Sequence, residues 1–120
     1  MRIDAATDVL AQEIKTAVQN HFGAQLDAVY LFGSRARGEH RPDSDLDVAV
    51  VLRDVRRPLA AVDRELLDIT YPLEIARGLH LQAWAVPLDS MSVHGLDNDS
   101  QDGGLRLRLA ATVRREGVKL

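Results

Sequence analysis

Leu31-Phe-Gly-Ser-Arg-Ala-Arg-Gly-Glu-His-Arg-Pro-Asp-Ser-Asp-Leu-Asp-Val-Ala-Val50 is the stretch on which the fold turns. It joins two apolar runs. The first, Asp27-Ala-Val-Tyr-Leu-Phe-Gly33, is short and aromatic, and it stops at a glycine, which marks a buried strand. The second, Leu46 to Leu52, is rich in valine and reads as a second strand. Between them Ser34 to Ser44 is polar, rich in turn formers, and opens with a short helical turn. A right-handed crossover between parallel strands needs a dozen or more residues, so these two strands are expected to run antiparallel.

Working outward, Leu10, Ile14, Ala17, Val18 and Phe22 recur at helical spacing, with Asp4 or Thr7 to cap the start and Gly23 to end the helix. Downstream, Leu59, Val62, Leu66, Ile69, Leu73 and Ala76 form one apolar stripe, opened by Pro58 and closed by Gly78. Pro72 lies inside it and is expected to kink or split that helix, because it removes a backbone donor. Leu79 to Val86 reads as a third strand, and Ser90 to Gly104 as a loop rich in Asp, Asn, Ser and Gly. Leu105-Arg-Leu-Arg-Leu109 alternates like a strand, yet Leu105, Leu109 and Val113 share a helix face. Arg114 and Arg115 just before Gly117 suit a helix C-terminus, and the segment is read as helix. The order of elements predicts an α/β (α+β) domain over residues 1–120, a small three-stranded mixed sheet with helices packed against it.

Composition narrows the setting. The 120 residues suit one domain, and the chain has no cysteine, so no disulfide framework, thiolate zinc site or cysteine nucleophile is available. The net charge of −3 gives no overall attraction to a nucleic-acid backbone, which is not expected as a direct substrate. Of the 15 basic residues only Lys15 and Lys119 are lysines, and most of the arginines are read as ordinary surface charge. No apolar run approaches the roughly 20 residues of a membrane span. The N-terminus has no signal-peptide centre, and a cytoplasmic location without membrane contact is expected.

The two ends of the opening stretch carry the chemistry. Gly33-Ser34 follows a strand and precedes a helical turn: glycine lets backbone approach a ligand, and free N–H groups at a helix start favour phosphate. Ser34 adds a hydroxyl, and Arg35 and Arg37 add nearby cations, which makes this end a candidate triphosphate cradle. Asp45 and Asp47 stand two apart on a strand, so their side chains share a face. Two adjacent carboxylates repel unless a cation sits between them, and magnesium favours one or two carboxylates completed by substrate phosphates. Asp43 has the same parity but follows Pro42 in the turn and is not counted as a ligand. A Gly-Ser pair is by default a turn and an Asp-x-Asp pair a solvated strand edge. Their joint occurrence across a short polar loop between two strands is what gives the pattern weight.

Gly33-Ser34-Arg-Ala-Arg-Gly38 through Ser44-Asp45-Leu-Asp47 resembles the polymerase-β-like nucleotidyltransferase superfamily, and within it the minimal nucleotidyltransferases paired with HEPN-type toxins. The resemblance implies the nucleotidyltransferase fold. It implies Gly33 and Ser34 as the triphosphate-binding pair, with ATP or another nucleoside triphosphate as ligand, and Asp45 and Asp47 as catalytic ligands of Mg2+. Active members of the superfamily commonly carry a third carboxylate on the third strand. The position that aligns here is Gln82, which brings no negative charge and accepts no proton at neutral pH. His80 shares its strand face and could act as a base, although a lone histidine is by default structural.

Two readings of function follow from the resemblance. In one, the chain is an Mg-dependent enzyme that transfers a nucleoside monophosphate, AMP from ATP, to a hydroxyl on a HEPN-type protein partner. In the other, it is a catalytically weak or inactive antitoxin that binds nucleotide and neutralises its partner by occlusion. Transfer to a small molecule is disfavoured, because such enzymes usually add a domain to hold the acceptor. Trp84 and Tyr71 are read as core or interface residues rather than base-stacking ones, and self-association stays open.

Overall fold

Asp4 starts the first helix as a cap: its carboxylate accepts from the backbone N–H of Thr7 at 2.8 Å, satisfying one of the donors a helix start leaves open. The computed structural model describes residues 4–39, 41, 44–91 and 101–120. Helix α1 spans Ala5–Phe22 and passes through a 3-10 turn into strand β1, Leu26–Phe32. A single turn, α2 (Ser34–Arg37), leads toward β2, Leu46–Leu52. Helix α3, Leu59–Arg77, crosses to β3, Leu81–Pro87. A short α4 (Leu88–Met91), helix α5 (Gln101–Glu116) and β4 (Val118–Lys119) complete the chain.

The sheet order is β3-β2-β1-β4. β1 and β2 are antiparallel, as the short connection requires, and β2 and β3 are parallel across the α3 crossover. The sheet therefore has four strands rather than three. Val118 and Lys119 pair antiparallel with Leu31 and Tyr30, a two-residue strand too short to announce itself by alternation.

Strand parity divides the core between two faces. Val29 and Leu31 of β1, with Leu46, Val48, Val50 and Leu52 of β2, pack beneath α1 and α3 through Leu10, Ile14, Val18, Val62 and Leu66. On the other face Phe32, Ala49, Val51 and Val86 meet Ala110 and Val113 of α5, with Tyr30 and Trp84 partly buried beside them. Asp47 and Gln82 have the parity of this second face.

Three expectations are narrowed. Pro72 does not split α3, which runs unbroken from Leu59 to Arg77. Both Pro72 and Asp68, whose carbonyl loses its partner, are exposed, so water can take the freed acceptor. The segment read as a loop over 90–104 is bounded by helix at both ends, through Met91 and from Gln101, and 92–100 lie outside the described residues. Of the two readings of Tyr71, core or interface, the first fails: it is 57% exposed, on one outward line of α3 with Leu67 and Ile75. No helix among the described residues is long and apolar enough to cross a membrane.

Candidate functional site

Gly33 is the hinge of the site. Its φ of 81° and ψ of −161° are costly for any residue with a side chain. A Cβ placed there would lie 2.5 Å from Oδ2 of Asp47. The register explains the closeness: Phe32, the last residue of β1, is the cross-strand partner of Asp47. The hairpin-like return thus brings the two ends of the motif together.

Ser34 opens α2 directly after this turn. Its hydroxyl is half-buried and makes no hydrogen bond among the described residues. The carbonyl of Gly33 accepts from Ala36 and Arg37, both at 3.1 Å, and fixes the turn. Gly38 closes α2 in the left-handed region, with its N–H bonded to the Ser34 carbonyl.

The two arginines of the motif part company. Arg35 is 4% exposed and reaches α1. It donates through Nη1 to Thr7 Oγ1 at 2.8 Å and through Nε to the Ser44 carbonyl at 3.0 Å. Its guanidinium thereby ties α1 and α2 to the residues that lead into Asp45. Ser44 reinforces the same turn, accepting from the Arg41 N–H at 2.8 Å through its hydroxyl. Arg37 stays on the aspartate side: it is paired with Glu39 at 2.8 Å and Glu116 at 3.1 Å, and its charge reaches Asp47. Asp43 lies outside the described residues.

Asp45 is exposed just before β2, and Asp47 is half-buried within it. Neither carboxylate has a hydrogen bond or an ion pair among the described residues. Burial pushes the Asp47 carboxyl above its ordinary value, the neighbouring charge of Asp45 adds to this, and His80 and Arg37 oppose it. Gln82 is the cross-strand partner of Asp47 on β3, so a carboxamide stands beside the pair. Among the described residues no cluster of three or more acidic, histidine or cysteine side chains is poised around an ion.

Sequence reasoning missed the parts played by Thr7 and Glu74, outside the motif, and by Ser44 within it. Glu74 sits in the last turn of α3, and Gly78, left-handed at φ 65°, folds the chain back over it. One carboxylate oxygen of Glu74 then lies 2.9 Å from the Leu81 N–H and 3.0 Å from His80 Nδ1. A cavity of about 310 Å³ runs along this edge of β3, lined by His80, Gln82, Trp84 and Leu67 among others. A larger one of about 660 Å³ lies between α1 and the end of α3, lined by Val9, Leu10 and Arg77, and includes neither aspartate.

No curated protein matches the sequence significantly. Solved structures with a similar fold include a toxin–antitoxin crystallised with AMP-PNP, at 20% identity over 88% of this chain and 86% of that one, with a TM-score of 0.48. A mutant of the toxin–antitoxin MntA–HpeT is similar at 21% identity over 87% and 85%, with a TM-score of 0.45. The model of the polymerase beta nucleotidyltransferase family matches residues 12–85, from α1 through both aspartates into β3. The chain belongs to the polymerase beta nucleotidyltransferase family.

Proposed function

We propose that the chain binds a nucleoside triphosphate at Gly33 and Ser34 and transfers its nucleoside monophosphate, AMP from ATP, to a hydroxyl on a protein partner of the HEPN toxin type. The supporting observation is the meeting of Gly33 with the Asp47 carboxylate, which would set a phosphate chain against an acidic pair. Ser34 offers an uncommitted hydroxyl to that chain, and Arg37 lends positive charge from the side. Asp45 and Asp47 fit a divalent metal: two hard oxygen donors, adjacent, without protein cations bonded to them, one destabilised as an anion. When bound, magnesium supplies the positive charge that joins this pair to the phosphate oxygens and offsets charge developing on the leaving pyrophosphate. The protein's own contribution is positioning, the larger part of catalysis in phosphoryl chemistry. The toxin partner comes from the sequence resemblance, and a cytoplasmic setting fits the cysteine-free composition.

The alternative, a nucleotide-binding antitoxin that acts by occlusion, is favoured by one observation: Gln82, not a carboxylate, stands opposite Asp47. Incubation with labelled ATP, magnesium and a HEPN-type partner separates the two. Label on the partner that disappears with Asp45→Asn supports transfer. A stable unlabelled complex that silences the partner supports occlusion.

A further inference from the structure

We propose that His80, oriented by Glu74, is the group that takes the proton from the attacking hydroxyl, filling the role for which the third strand has no carboxylate. This rests on the transferase reading above and adds a catalytic residue to it. His80 is placed by backbone: its carbonyl accepts from the Leu46 N–H at 3.0 Å, which clips it beside the residue between Asp45 and Asp47. It bonds to neither aspartate. The ring bridges two neighbours, with Nδ1 3.0 Å from Glu74 Oε1 and Nε2 3.4 Å from Gln82 Nε2.

Those contacts decide the tautomer. An ionised carboxylate only accepts, so the neutral ring carries its proton on Nδ1, and Nε2 keeps the lone pair. The Gln82 amide donates weakly to that lone pair, and a hydroxyl can displace so long a contact. Glu74 is suited to hold the ring, since it is anchored by the Leu81 N–H and its side chain is only 18% exposed. The imidazole is 55% exposed, open to an incoming group, and once protonated its charge reaches Asp47. A histidine held by a carboxylate through one ring nitrogen keeps the other to take up a proton, which is a general-base arrangement.

The step balances without further reagents. The acceptor oxygen attacks the α-phosphorus and forms a new P–O bond. The bond from the α-phosphorus to the bridging oxygen breaks, and pyrophosphate leaves with the electron pair. The hydroxyl proton passes to His80 Nε2, and Glu74 balances the imidazolium until it releases that proton to solvent.

Two measurements on the full chain test this. Nitrogen-15 NMR of His80 without nucleotide should show the Nδ1–H tautomer, shifting toward Nε2–H in Glu74→Gln; an Nε2–H ring in the unaltered protein overturns the proposal. Pyrophosphate release from ATP with magnesium, using water as the hydroxyl, should fall about a hundredfold or more in His80→Ala, with ATP affinity unchanged and partial rescue by added imidazole. Undiminished release in His80→Ala overturns the proposal alone. A wild-type chain that binds no ATP with magnesium contradicts the underlying reading, and the proposal falls with it.

Discussion

Glu65 on α3 and Asp47 on β2 are both partly buried carboxylates, and the protein treats them in opposite ways. Glu65 is clamped: Arg57 reaches it with Nε at 2.5 Å and Nη2 at 2.8 Å, and His21 lies at 2.9 Å. Hydrogen bonds from Arg57 and then His21 lower its pKa to about 2. Asp47 has no such partner, and burial followed by the charge of Asp45 raises its pKa instead. A carboxylate whose cations come from its own chain is a strut between elements. A carboxylate set into a sheet beside a second one, with no bonded cation, is destabilised as an anion and stabilised by whatever positive charge arrives from outside. The chain has arginines enough to have paired Asp47, yet it directs Arg35 to Thr7 and Ser44, and Arg37 to Glu39 and Glu116.

The comparison breaks most visibly at Gly33. Gly33→Ala forces a positive φ on alanine and drives its Cβ into Asp47, and it should lower stability by about 2 kcal/mol in denaturant titration without metal. Adding Asp47→Ala should return the part due to the clash and leave the backbone strain, a coupling that a double-mutant cycle reads directly. Full additivity would mean the two residues do not touch.

At the strut, Glu65→Gln should cost less than about 1 kcal/mol at neutral pH, because the pair is partly solvated. Its pKa is depressed in the folded state, so its stabilisation is present above the ordinary carboxyl value of 4.5 and is lost as pH falls through about 2. The difference between wild type and variant should close over that window. Asp47 has the reverse sign: its raised folded pKa means a contribution present below 3.8 that is lost as pH rises through the folded value. Asp47→Asn should remove that loss and show no deficit at neutral pH.

The smallest effect sharpens the contrast. Asp45→Asn, measured without metal, should leave stability unchanged or raise it by about 0.5 kcal/mol, because it removes a repelling charge. A loss above about 1 kcal/mol would make Asp45 a strut like Glu65.

Periodicity was enough to find α1, α3 and the three longer strands, since each buries one consistent face. It could not find β4, where two residues pair by backbone alone, nor the helix over Gln101–Glu116 from its first turn, because Gly103 and Gly104 read as loop. The approach of Gly33 to Asp47 was legible because the two lie close in sequence at the facing ends of adjacent strands. Arg35 was not: the same residue type serves a phosphate or a buried carbonyl, and only the position of Thr7 on α1 decides which. Glu74 was invisible for a similar reason, its reach to His80 depending on the reversal at Gly78.

The central claim is that Gly33, Ser34, Asp45 and Asp47 make one metal-dependent triphosphate site, and titration calorimetry of ATP tests it most directly. ATP should bind the wild-type chain in the presence of magnesium and lose most of its affinity when magnesium is removed with a chelator. Asp47→Asn should bind no better with magnesium than without it. ATP binding that is indifferent to magnesium, or that survives Asp47→Asn at full strength, would contradict the account.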